Sequence, residues 1–199
     1  MMVNRDDRPE ALAELKKRYG DFRPIKNLDN TDKLEVARAY FEMGRRVFET
    51  DGHHIPTMIF HDKGGWSIVY PLLGDRAERI AFWRGFASSV KSRGVDEIIF
   101  TAESWIHSDI DKSLKQIQAG KEIKSLRKKG EVLVLFYLND KGRVIQICAP
   151  ITRDHKKAIL GDTYEGEHKP EDLPIFYPVF AEWGLIGKSE IKMDADSST

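Results

Sequence analysis

Cysteine is nearly absent: Cys148 is the single one in 199 residues. That excludes an internal disulfide and a zinc site built of cysteines alone, and it suits a reducing compartment. Cys148 falls inside a strand pattern, so it reads as a small core residue. Long apolar runs are lacking too. The longest, VLVLFYL from Val132 to Leu138, is about a third of the roughly 20 residues a membrane-spanning helix needs. The opening MMVNRDDRPEALAELKKRYG holds no apolar stretch before a cleavage site, so a cytoplasmic, soluble chain with no membrane partner is expected. Charge of one sign is not in excess, with 32 basic and 32 acidic residues. Any electrostatic partner must therefore be recruited by a local patch.

The common catalytic signatures are missing as well. No glycine-rich phosphate loop follows a strand, since HDKGGW reads as a hairpin turn. Ser104 has no G-x-S-x-G elbow around it, and Cys148 has no histidine close in sequence. These gaps argue against nucleotide hydrolases, dehydrogenases and serine hydrolases of the usual kinds. Tandem repeats and low-complexity tracts are not found either.

What is there is globular: 41% hydrophobic and 10% aromatic residues are enough for a core without staples. Pro9 and Gly20 bracket a short first helix, and DFRPIKNLDN reads as a connector. Asp32 and Glu35 have capping-box spacing before a second helix. Its apolar positions form two rows, Leu34, Ala37, Phe41, Gly44, Phe48 and Val36, Tyr40, Met43, Val47, and Asp51-Gly52 ends it. IPTMIF and WSIVYPLL flank a glycine turn as a hairpin, with Pro56 and Pro71 confining them to strand ends or an edge. Ala77, Ile80, Trp83, Ala87 and Val90 step by three and four along a third helix that Gly94 closes. A strand from Glu97 to Ser104 follows. After a polar, lysine-rich stretch, EVLVLFYL and RVIQICAPI flank NDKG as a second hairpin. The first of these is apolar almost throughout, as an interior strand covered on both faces would be.

The order helix, helix, strand, strand, helix, strand, polar helical insertion, strand, strand predicts an α+β class: a mostly antiparallel five-stranded sheet with helices packed on it. In topology this succession is similar to profilin-like and roadblock-type layering. In such an order the first and third strands are separated by the second hairpin. The expected organisation is an N-terminal helix and connector (1–30), a core domain (31–155), and a C-terminal arm (156–199) packed on the core with a disordered tail from about 194 to 199.

Three places could carry function. The first is the ending of strand EIIFTAES in Glu103, Trp105 and His107. If the third helix returns over the sheet, this strand runs parallel to WSIVYPLL and finishes near His53 and His54. His54, Glu103 and His107 have ligand types suited to a zinc or iron ion, or to acid-base work at Glu103 and His107, and adjacent His53 and His54 would point apart. The bland reading makes Glu103 and His107 rim residues, with no cofactor. The second place is the segment 112–130, where seven basic residues meet one acid for a net of +6, including Lys121, Lys124, Arg127, Lys128 and Lys129. It could follow the phosphates of a nucleic acid or another polyanion, although it lacks interleaved aromatics for base stacking. From Asp162 to Thr199 nine acids face three lysines, a net of −6, so the acidic arm could cover the basic strip. The third place is the aromatic group Phe176, Tyr177, Phe180 and Trp183, either part of a surface for a partner protein or a second copy, or the means by which the arm docks on its own domain. Taken together these observations favour a non-enzymatic interaction or regulatory module working through protein contacts. A metal-assisted or acid-base enzyme centred on Glu103 is the alternative, and polyanion binding a second one.

Overall fold

The first element whose capping is visible is α1, Lys33–Asp51. Its N-terminus is closed by Asp32, whose carboxylate accepts from the Leu34 amide at 3.0 Å. Its C-terminus is closed by Gly52 at φ 76°, whose amide donates to the Phe48 carbonyl at 2.7 Å. These details come from a computed structural model that describes residues 13, 17–18, 32–71, 76–107, 129–154 and 157–187. The expected first helix, the polar insertion and the tail from 194 lie outside the described residues apart from isolated positions.

α1 buries Val36, Ala37, Phe41, Gly44 and Phe48, a stripe at steps of three and four that needs a flat apolar surface opposite it. A sheet supplies that surface. Strands β1 (Thr57–Asp62), β2 (Gly65–Val69), β3 (Glu97–His107), β4 (Lys129–Asn139), β5 (Val144–Asp154), β6 (Lys157–Leu160) and β7 (Tyr164–His168) form one sheet in the order β2-β1-β3-β4-β5-β6, with β7 also on β5. Every pairing is antiparallel. The class is α+β as expected, but with seven strands instead of five. The strand order also departs from the roadblock-type expectation, because β3 pairs directly with β1, Thr57 opposite Thr101 and His61 opposite Glu97. Helix α2, Arg76–Arg93, makes the crossover between β2 and β3, which run parallel with β1 between them.

The additional strands come from the segment expected to be a C-terminal arm packed on the core. β6 and β7 lie end to end along β5, with Leu160 opposite Ile151 and Tyr164 opposite Cys148. Four steps on one strand therefore face three on the other, a one-residue bulge at Gly161–Thr163. Pro150, which has no N–H for the ladder, lies opposite this bulge and accepts from the Gly161 amide at 2.8 Å.

Both faces of the sheet are covered. On one, α1 meets Ile59, Ile99, Leu133, Leu135, Tyr137, Ile145, Ile147 and Leu160. On the other, α2 and the short helix α3, Tyr177–Glu182, cover Met58, Phe60, Ile98, Phe100, Leu138 and Val144. Double coverage explains why β4 reads as nearly unbroken apolar sequence. Phe176 and Phe180 are fully buried. Phe176 stands edge-on to Trp83 at 4.7 Å and to Phe136 at 5.2 Å, and the Trp183 indole donates to the Val95 carbonyl at 2.7 Å. These aromatic residues belong to the core, so the reading as a partner surface is corrected for Phe176 and Phe180: an apolar helix of six residues is stable here only because it caps the α2 side of the sheet.

Candidate functional site

The antiparallel register of β1 and β3 brings the start of β1 beside the far half of β3, and there His54 and Glu103 meet. The contact is with the backbone: the His54 amide donates to Glu103 Oε1 at 2.6 Å. The other oxygen, Oε2, accepts from Arg153 at 2.5 Å, and the same guanidinium donates to Glu131 at 2.6 Å and to the Gly52 carbonyl at 3.0 Å. Arg153 thus ties the C-terminus of α1, the second half of β3, the start of β4 and the end of β5 together. Both Glu103 oxygens are engaged, as acceptors. The His54 ring lies against Gly44, so close that a Cβ on Gly44 would sit 3.2 Å from Nε2. Its Nδ1 is buried without a hydrogen-bond partner, and desolvation, aided by neighbouring His53, lowers its pKa to about 4. His54 is therefore a neutral wedge between α1 and the sheet at pH 7. The His53 ring instead approaches the Asp51 carbonyl at 3.0 Å.

His107 ends β3 opposite Lys129, about 13 Å along the strand from Glu103 at about 3.3 Å per residue. Among the described residues no group of three or more histidine, cysteine, aspartate or glutamate side chains is placed to hold a metal ion. Beside Arg153 a polar cleft of about 460 Å³ is lined by Glu49, Thr50, Asp51, Gly52, Asp154 and Lys157 among others. Its mixed charges are partly satisfied locally, as by Arg18 on Asp51 at 2.8 Å. Lys121, Lys124, Arg127 and Lys128 lie outside the described residues, and Lys129 is known only as the first residue of β4.

The opposite end of the sheet carries a second polar row that sequence reading did not single out. The His61 Nδ1 lies 2.7 Å from Asp96, and the ring packs on Trp66. Lys33 sits 3.8 Å from Glu97 and 5.3 Å above the Trp66 ring. Burial, only partly offset by Lys33, pushes the Glu97 carboxyl up, while burial next to Glu97 pushes the Tyr137 phenol to about 12. On the other face, Asp62 is held below the usual carboxylate range by the Gly64 amide and by Arg93. The register would have revealed this row, since His61, Glu97 and Asn139 are cross-strand partners. Nothing in the local sequence does.

The remaining feature is an edge. Among the described residues no strand pairs with the outer side of β2. Ile68, Val69 and Tyr70 are 53%, 37% and 64% exposed there, and Ile55, just before β1, is 55% exposed. An uncharged, apolar strand edge of this kind offers backbone N–H and C=O groups to another strand. The opposite edge is different. β6 and β7 also expose Ile159 and Tyr164, but the bulge interrupts them. Arg38 clamps Glu165 through two hydrogen bonds of 2.9 and 3.0 Å, and Arg143 approaches Glu167 at 3.8 Å.

The fold and its edges define an α+β domain: an antiparallel sheet covered on both faces, with one strand edge guarded and the other, among the described residues, unpaired. No helix among the described residues is long and apolar enough to cross a membrane. The chain belongs to the family described as bacteriophage lambda protein ea47, which matches residues 3–196. Protein ea47 of Escherichia phage lambda is 31% identical over 83 residues, 41% of this chain. The match spans a fifth of that relative's own length. No solved structure matches the chain.

Proposed function

We propose that this domain is a non-enzymatic interaction module that binds protein by adding a strand to the β2 edge. The observation that carries this reading is the exposure of Ile68, Val69 and Tyr70 along a strand that no described strand covers. Main-chain hydrogen bonds would supply affinity, and the alternating side chains specificity. Glu103, whose oxygens are engaged by the His54 amide and Arg153, is better suited to fastening strand ends than to acid-base work or metal binding. A cytoplasmic setting fits the lone Cys148. The test is affinity capture with the intact chain and with an Ile68→Lys, Tyr70→Lys variant as parallel baits in the same lysate. Partners held by the parent and lost by the variant support the reading, while partners held equally by both overturn it.

A further inference from the structure

We infer that the strand received at the β2 edge is β2 of a second copy of this chain, so that two domains join their sheets across a twofold axis. The inference rests on the interaction reading above and names its partner.

Two observations carry it. The first is charge. From Gly64 to Pro71 the sequence GGWSIVYP contains no ionisable side chain other than Tyr70. An antiparallel self-pairing about a twofold places this segment against itself, and a strand without charges meets no like charge when it does so. A charged or acidic peptide would leave its charges facing Ile68, Val69 and Tyr70 unanswered.

The second is the difference between the two edges of the sheet. A domain with two bare edges would stack edge to edge into open fibres, because such contacts do not close. Here the far edge has the bulge at Gly161–Thr163, Lys157 on β6, and the Arg38–Glu165 clamp on β7. Among the described residues only like edges remain to pair, and pairing of like edges is isologous and stops at two. Ile68 and Ile159 make the contrast plain: both are half exposed, at 53% and 55%, yet among the described residues no bulge or clamp of this kind lies on the edge that carries Ile68. β2 is five residues long, so the interface is small and association falls in the micromolar range.

Sedimentation velocity of the intact, purified chain, run at several concentrations from about 1 to 200 µM, tests this. The parent should shift from monomer to dimer and no further. Ile68→Lys with Tyr70→Lys should weaken dimerisation at least tenfold, whereas Ile159→Lys on the other edge should leave it unchanged. Both variants alter half-exposed side chains, and thermal melts matching the parent's would show that each folds. A parent that stays monomeric throughout overturns the self-pairing. If that monomer still captures partners through Ile68 and Tyr70, the interaction reading survives and only its partner is wrong. Dimers equally sensitive to Ile159→Lys, or assemblies growing beyond two, would also overturn the proposal.

Discussion

Replacing Phe176 by alanine tests whether the C-terminal segment is part of the core. Phe176 is fully buried, with Trp83, Phe100, Phe136 and Phe180 ringed around it at centroid distances of 4.7 to 6.2 Å. Losing the transfer free energy of the ring costs about 2–3 kcal/mol. The edge-on contacts with Trp83 and Phe136 add about 0.5–1.5 kcal/mol each, and part of the cavity stays open because β3, β4 and α2 hold its walls. These terms overlap, and buried Phe→Ala changes ordinarily cost about 3–5 kcal/mol, the range expected here. Its neighbour Ile175 is 40% exposed, so Ile175→Ala should cost well under about 1 kcal/mol. Urea unfolding followed by tryptophan fluorescence gives both numbers, read from midpoints at constant slope. A Phe176→Ala cost no larger than that of Ile175→Ala would refute the reasoning and return the segment to a loosely docked arm.

Three further outcomes follow from the polar contacts and caps. His54 titrates at about 4 in the fold against an ordinary 6.5, so below pH 6.5 the unfolded chain takes up the proton first. Stability should be full above pH 6.5 and fall by up to about 3 kcal/mol as pH drops through about 4; calorimetry of a His54→Gln variant should show a shallower loss, and an identical pH profile would count against the assignment. Arg153→Ala leaves the Glu103 and Glu131 carboxylates without their shared partner. With Arg153 itself 42% exposed, the expected cost is about 1–2 kcal/mol, shrinking in high salt, and a neutral substitution in denaturant titration would dismiss the fastening role. Gly52→Ala meets no atom within 4 Å but keeps φ at 76°, so strain alone should lower stability by about 1 kcal/mol; an unchanged melting temperature would contradict it.

The parts of the fold legible in sequence are those with local punctuation. Asp32 and Gly52 mark α1, and the glycines at 64–65 and 142 mark both hairpins, because caps and turns depend on a few adjacent residues. β6 and β7 were not legible. KAIL and YEGEH are short and mostly exposed, and YEGEH is polar as well; what makes them strands is the open side of β5. The direct β1–β3 pairing was equally hidden, since nothing local to either strand encodes which neighbour it takes. At the candidate site, the parallel course of β2 and β3 put His54 and Glu103 at one end of the sheet, but their meeting needs the β1–β3 pairing that sequence left open. The arginine that fastens them was not legible, since Arg153 is 50 residues from Glu103 and sits at a polar strand end. The bare edge could be suspected from Pro71 and the uncharged GGWSIVYP, but an edge is defined by what is not beside it, and only the sheet order reveals that.

The central claim is that β2 completes its hydrogen bonding with a second copy, and concentration-dependent amide hydrogen exchange reads it most directly. The account predicts that the alternate amides within Ser67 to Tyr70 that point away from β1 gain protection as the chain is concentrated, while those of Tyr164 to His168 on the far edge do not. Exchange at Ser67 to Tyr70 that is independent of concentration, or protection gained first along β6 and β7, would contradict it.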